Sequence, residues 1–427
     1  MNPEQILSDL IRINTVNPPG NEMEAALYLK DLFARAGVPG EIVETGNGRG
    51  NFFARTGSGS KRLLFLSHLD VVPVGEGWDF DPFSGEIREG MVLGRGALDC
   101  KGLVAAQAFT FLKLVREKVP LNGTLIFAAT ADEERGGDFG VKRLLDDVPE
   151  KLQADFAINE GGEAPLQLNG RTVFFIQIGE KGTAWSRLTA SGVSCHGSIP
   201  SLGDNAVVKM VRSLNDLAGC RPQVTLIPEV KYMLQELTGI LGLNINVDEQ
   251  NVDSILENFK NRTFVETLRA MTRMTISPNV VQGGSKTNVV PDMCTASIDI
   301  RILPGQDKED VIRELRRYIG EEINIEVTNY YPPTFSSSQS EHYRAIAEAT
   351  RDVAGTEAIC LPCISTGATD SRFLREAGIP SYGIGLMAEG FDRELLTTVH
   401  GKNERIDVAS LHFIAFFLER LAIKYLS

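Results

Sequence analysis

The chain has 427 residues, too many for one ordinary hydrophobic core, so two domains are the default expectation. Its 43% hydrophobic and 23% charged residues exclude a disordered chain. A formal net charge of −13, with no segment that concentrates Lys and Arg, argues against a nucleic-acid partner, and no apolar run approaches the ~18 residues that span a bilayer.

The first residues, MNPEQILSDLIRI, carry acids and polar groups where a signal peptide needs a basic start and an apolar block, so a cytoplasmic, non-membrane location is expected. Helical periodicity covers 3–13 and 22–36, followed by a buried-strand run at 62–67. An amphipathic helix is expected over 101–117, an apolar strand over 124–130, a helix near 138–147 and a third strand at 155–158. Strands alternating with helices predict an α/β sheet with helices on its faces.

Past Gly179–Gly182 the texture changes. A half-exposed strand at 184–191 leads to a helix at 204–218, and an extra helical stretch lies around 227–275. Strands at 293–302 and 323–329 flank a helix near 307–319. This pattern predicts an α+β module over 184–330, inserted into a domain made of 1–183 and 331–427. The Pro- and Ser-rich segment from Tyr331 marks the way back, and the chain resumes helix–strand alternation to an apolar-faced helix at 407–425.

The six cysteines (100, 195, 220, 294, 360 and 363) are too sparse for a disulfide framework. Cys360 and Cys363 form a lone CxxC, for which buried thiols are the plainer reading.

Five short motifs carry acids or histidines. In Ser67-His68-Leu69-Asp70 the i, i+2 spacing puts His68 and Asp70 on one face of a strand, where the carboxylate would orient the imidazole. In Gly94-Arg-Gly-Ala-Leu-Asp99-Cys100-Lys101-Gly102 a glycine-rich turn sets Asp99 before a helix, where it could simply cap the helix. Ala131-Asp132-Glu133-Glu134 and Asn159-Glu160-Gly161-Gly162 each follow an apolar strand, and Thr398-Val399-His400-Gly401 precedes the last helix. Read singly, each is an ordinary turn.

Together they are not. Ligands of open α/β sheets sit at the carboxyl ends of strands, where His68, Asp70, Glu133, Glu134 and Glu160 all fall. Two like charges ~4 Å apart cost about 4 kcal/mol at an effective dielectric near 20, so cations or protons must compensate. Two divalent ions do so and leave positions open for water.

In order and spacing the five motifs resemble the two-zinc aminoacylase/carboxypeptidase family of peptidases, which includes acetylornithine deacetylase, succinyl-diaminopimelate desuccinylase, glutamate carboxypeptidase and carboxypeptidase S. The block SHLDVVPVGEGWDFDPFSG…GRGALDCKG is most similar to the carboxypeptidase S and N-acyl-amino-acid hydrolase branch. The resemblance spans essentially the whole chain. It implies a catalytic zinc-peptidase domain with a central mixed, mostly parallel sheet flanked by helices, and an inserted α+β lid and dimerisation domain.

Carried onto this sequence, the resemblance makes Asp99 a carboxylate bridging two metal ions. His68 and Glu160 complete one site, Glu134 and His400 the other. Glu133 becomes the general base, Asp70 the partner of His68, and a cis peptide is expected at Asp99–Cys100. The metals implied are two Zn2+, with Co2+ or Mn2+ as alternatives, since N/O donor sets take several divalent ions. The implied reaction is hydrolysis of an amide bond next to a carboxylate-bearing group by a metal-bridged water. His196, in Ser194-Cys195-His196-Gly197-Ser198, matches the family histidine that stabilises the oxyanion from the inserted domain, across a subunit boundary in dimeric members. Asn288 and Arg301 match substrate-binding positions, and Arg372, in Thr369-Asp370-Ser371-Arg372, lies in a further family motif. Arg301 is equally consistent with an ordinary ion pair.

Two departures stand out: Cys100 where many relatives have Asp or Met, and Asn159 where many have Asp. The expected substrate is an N-acyl amino acid or a short peptide, with a homodimer through the inserted domain left open. A biosynthetic deacylase of the acetylornithine or succinyl-diaminopimelate type is the alternative within the same chemistry. A catalytically silent metal-binding module is the alternative outside it.

Overall fold

The computed structural model describes residues 2–46 and 48–427 and divides into two compact units. The first comprises the chain up to Ile178, Phe335–Cys363 and Thr369–Ser427; the second comprises Gly179–Thr334 with Ile364–Ala368. The breaks fall at 179 and 334, where the sequence leads one to expect 184 and 330, and a five-residue return segment joins the second unit. At the first break the strands Arg171–Glu180 and Gly182–Ser191 follow one another almost without interruption.

The first unit is built on a mixed sheet. Arg62–His68 pairs in parallel with Thr124–Thr130 on one side and Phe156–Asn159 on the other, and Ser381–Ile384 extends the parallel set. Gly50–Gly57 and, at the edge, Gly40–Glu44 add antiparallel strands beyond those expected from the sequence. The Arg62–His68 strand is buried along nearly its whole length, as a strand covered on both faces must be. On one face Phe33, Phe52, Phe111 and Phe127 form a cluster with ring centroids 5.0–6.5 Å apart. On the other, Leu64, Leu66, Ile126 and Ala128 pack against Val141, Leu144 and Phe373. The closing helix, Val408–Leu426, starts where the Asp407 carboxylate accepts the backbone N–H of Ser410 (2.7 Å).

The second unit carries an antiparallel sheet in the order Thr275–Gly283, Met293–Ile302, Gly182–Ser191, Ile323–Tyr331. Alternation is clean on Gly182–Ser191: Ser186, Leu188 and Ala190 face the core, while Trp185 and Arg187 face out. The helix Ala206–Ala218 covers the core face, and the helix Lys308–Arg316 ends three residues before the expected 319. The stretch expected to be helical over 227–275 is three separate helices, Pro228–Ile240, Val252–Leu256 and Arg262–Met271. Thr275 already begins a strand, whose β-branched residues the helical reading overlooked. Among the described residues no helix is long and apolar enough to cross a membrane.

Candidate metal centre

Three parallel strands end at one edge of the first unit's sheet, and each delivers part of a cluster. His68 closes Arg62–His68, Glu133 and Glu134 follow Thr124–Thr130, and Glu160 follows Phe156–Asn159. Register places His68 opposite Thr130, so the acidic turn begins beside the imidazole.

Asp99 stands between two imidazoles. Its Oδ1 lies 3.1 Å from His68 Nε2 and its Oδ2 lies 2.9 Å from His400 Nε2. His68 Nε2 is also 3.4 Å from Glu160 Oε1, and His400 Nε2 is 3.2 Å from Glu134 Oε2. Two acid–imidazole–acid groups thus share one carboxylate. The capping reading of Asp99 does not hold. The helix starts at Lys101 with Cys100 at its N-cap and no side-chain cap bond, because the Asp99 carboxylate is turned to the imidazoles. The Asp99–Cys100 peptide is cis. Cys100 is buried, its sulfur 3.3 Å from the backbone nitrogen of His68.

Asp70 holds more than His68. The imidazole Nδ1 lies 2.9 Å from the Asp70 backbone carbonyl and 3.5 Å from its carboxylate, so the carbonyl is the nearer orienting partner. The carboxylate instead accepts the backbone N–H groups of Glu133 and Glu134, both at 3.1 Å, and the Asn17 side-chain amide at 2.8 Å. Asp132 is not a solvated turn residue: it is buried in the left-handed region, with φ 68°. Its carboxylate accepts from Asn17 Nδ2 (2.9 Å) and Phe139 N (3.1 Å), which stabilises a conformation that side chains ordinarily avoid.

The electrostatics are those of too many acids in one place. Burial raises the Glu133 carboxyl well above its ordinary range, with Glu160 adding repulsion. Burial also pushes Glu160 and Asp370 up to about 7. Hydrogen bonds to Asp99 and Glu134 push His400 up to about 10. Glu134 Oε1 is buried with no hydrogen-bond partner. A buried carboxylate oxygen with no donor, within an all-N/O set of two imidazoles and three carboxylates, fits divalent cations such as zinc.

Of the remaining sequence candidates, Arg372 lies in the first unit, where it donates to the Gly136 carbonyl (3.1 Å) and stacks on Phe373. Asn159 donates to Ser371 Oγ (3.1 Å), tying its strand to the Thr369–Arg372 motif. His196, Asn288 and Arg301 lie in the second unit. There His196 is exposed in a short ladder opposite Val289, and Gly197 donates to the Asn288 carbonyl (2.8 Å), so His196 and Asn288 are brought to adjacent backbones. His196 Nδ1 accepts the Ser198 backbone N–H (3.2 Å), leaving Nε2 as the outward nitrogen. The Arg301 fork is engaged by Asp299 (2.7 and 3.2 Å), with Thr183 at 3.1 Å.

Residues that the motifs did not reveal complete the frame. Arg95 and Glu404, both fully buried, join at 2.6 Å, and Asp370 is buried against Thr130. The signal was present: Arg95 lies inside the glycine-rich motif and Glu404 four residues past His400.

Residues 64–424 match the model of the peptidase family M20/M25/M40, and the chain belongs to that family. It is thereby a metal-dependent amidohydrolase or metallopeptidase. It is 28% identical over 435 aligned positions to a succinyl-diaminopimelate desuccinylase of Cereibacter sphaeroides, covering 100% of this chain and 99% of the relative. A probable succinyl-diaminopimelate desuccinylase of Staphylococcus aureus is 25% identical over 409 positions, covering 92% of this chain and 94% of the relative. Among solved structures, an M20 family metallo-carboxypeptidase from Sulfolobus solfataricus superposes with a TM-score of 0.72 at 22% identity, covering 100% and 99% of the two chains. Human carnosine dipeptidase 1 superposes with a TM-score of 0.67 at 19% identity, covering 98% and 95%. These last two likenesses establish the fold.

Proposed function

We propose that the chain hydrolyses an amide bond adjacent to a carboxylate-bearing group, in an N-acyl amino acid or a short peptide. The observation that carries this reading is the sharing of Asp99 by His68 and His400, each imidazole also facing a second carboxylate. In this reading His68, Asp99 and Glu160 hold one divalent ion and Asp99, Glu134 and His400 the other. Zinc is the first candidate for both, with cobalt and manganese as alternatives. The chemistry supplied by bound ions is polarisation of the amide carbonyl and acidification of water.

The protein's own groups do the rest. Glu133 takes the proton of the attacking water and delivers it to the leaving nitrogen, as a carboxylate positioned for general acid–base catalysis does. Asp70 fixes the backbone from which Glu133 and Glu134 project. His196 Nε2 is the donor we assign to the developing oxyanion, with Asn288 beside it. Arg372 is the guanidinium group we assign to a substrate carboxylate, and Arg301, whose fork is held by Asp299, would take the same role only on release of that pair.

The names of the sequence relatives favour a second reading, removal of an N-succinyl group. Metal analysis combined with a panel of N-acetyl amino acids, N-succinyl amino acids and dipeptides tests both. Turnover of one class with two bound divalent ions is expected. A metal-loaded protein inert on all three classes, as a silent binding module would be, removes both readings.

For partners we propose a second copy of the chain. In the second unit Thr275–Gly283 is an edge strand with Val280 and Val281 exposed, and Met293 is exposed on the neighbouring strand. A monomeric mass by light scattering across a tenfold concentration range would remove this assignment.

A further inference from the structure

Arg95 and Glu404 have no assigned role, yet among the described residues no other buried ion pair reaches both loops that flank the cluster. The strand Arg405–Asp407 pairs antiparallel with Met91–Leu93, Arg405 facing Leu93, and Gly94 N donates to the Glu404 carbonyl (2.9 Å). This ladder brings Glu404 against the start of the glycine-rich loop. Its carboxylate then accepts three backbone N–H groups of that loop: Gly96 at 3.1 Å on Oε2, and Leu98 at 2.8 Å and Asp99 at 3.0 Å on Oε1. Such a buried carboxylate, filled by amide donors, fixes the backbone on which Asp99 rides.

Arg95 closes the other half. One terminal nitrogen donates to Glu404 Oε2 (2.6 Å) and the second to the Gly401 carbonyl (2.6 Å), the residue after His400. Its guanidinium lies 5.1 Å over the Trp78 ring, which holds it in plane. His400 itself sits in the left-handed region, φ 57°, and half its surface is open, so little else in its own surroundings fixes it.

We infer that Arg95 and Glu404 are positioning residues that set the separation of Asp99 from His400, and so govern the ion held by Asp99, Glu134 and His400 more than the ion held by His68, Asp99 and Glu160. The inference rests on the proposed two-ion centre. Lysine at 95 retains a charge for Glu404 but cannot serve Glu404 and the Gly401 carbonyl together, because it lacks the planar fork. Partners behind metal ligands change affinity about 10–100-fold when altered.

The test is zinc binding to the full chain, measured by chelator competition and by metal content after dialysis, with a thermal melt for each variant. Arg95→Lys is expected to keep one equivalent as tightly as the parent and to weaken the second at least tenfold. In a His400→Ala background the same substitution should cause no further loss. Equal weakening of both equivalents, or none, overturns the inference. A parent chain that binds no zinc removes the two-ion centre instead, a separate outcome. Should Arg95→Lys not fold, Glu404→Gln is read by the same criteria; if neither folds, the pair serves stability alone and the inference is lost.

Discussion

The Asp70 carboxylate stands 3.1 Å from the backbone nitrogen of Glu133 and, through its other oxygen, 3.1 Å from that of Glu134. One side chain therefore aims the proposed base and a proposed metal ligand, while its own carbonyl meets His68 Nδ1. A side-chain amide in place of the carboxylate could keep only one of those acceptors. Asp70→Asn is expected to lower kcat by about 10–100-fold, with a fall in melting temperature from the one buried N–H left unpaired. An unchanged kcat would show that the turn holds its shape without this clamp.

Glu133 makes no contribution to either acid–imidazole group around Asp99, so its loss should spare the metal. For Glu133→Gln, turnover is expected to fall by about 10^2–10^4-fold, the range of general acid–base catalysis. Metal content measured on the same preparation should stay at the parent value. Loss of metal together with activity would move Glu133 from base to ligand.

Metal removal should also be visible without substrate. Glu133, Glu134 and Glu160 repel one another, and binding to the folded state alone stabilises it by about 4 kcal/mol at a thousand times Kd. Chelator-treated protein should melt at a lower temperature, and added zinc should restore it. Coincident melts with and without chelator would argue against any tightly bound ion.

A pH effect is expected behind the site. Glu22 is buried against Arg49 with Oε2 unpartnered, and burial, reinforced by Asp70, raises its carboxyl from 4.5 to about 7. Between those values the folded chain keeps a proton that the unfolded chain has released. Stability contributed by this group is therefore present below pH 4.5 and falls as pH rises toward 7, by on the order of 3 kcal/mol. Glu22→Gln should flatten this part of the stability–pH profile in denaturant titrations. Parallel profiles for parent and variant would remove Glu22 as the source.

Phe33 touches Phe52, Phe111 and Phe127 in the buried aromatic cluster. Phe33→Ala should cost about 3–5 kcal/mol, read from the denaturation midpoint. A loss below about 1 kcal/mol would mean that the neighbouring rings collapse into the space.

The five motifs were readable because strand-end acids and histidines recur with short, distinctive local patterns, and the apolar runs at 62–68 and 124–130 announce buried strands. Glu404 and Arg95 were not readable as a pair, since 309 positions separate them and only the ladder between Met91–Leu93 and Arg405–Asp407 joins them. Asp132 looked like a surface acid because Asn17 comes from a distant loop and Phe139 reaches it only once its own turn has folded back. Gly40–Glu44 and Gly50–Gly57 are hidden for a different reason: strands bounded by glycines, without clean alternation, resemble loops in periodicity.

The discontinuous first unit has a bearing on how this enzyme comes into being. Asp99 meets His400 only after the long stretch of chain between the two partners' loops has been made, and a separate unit is spelled out in between. During synthesis, a chain lacking the last stretch has His68, Asp99 and Glu160 but neither His400 nor the Glu404 carboxylate that holds the Asp99 loop. Full loading would thus mark a finished polypeptide, and truncated or stalled products would carry an incomplete centre.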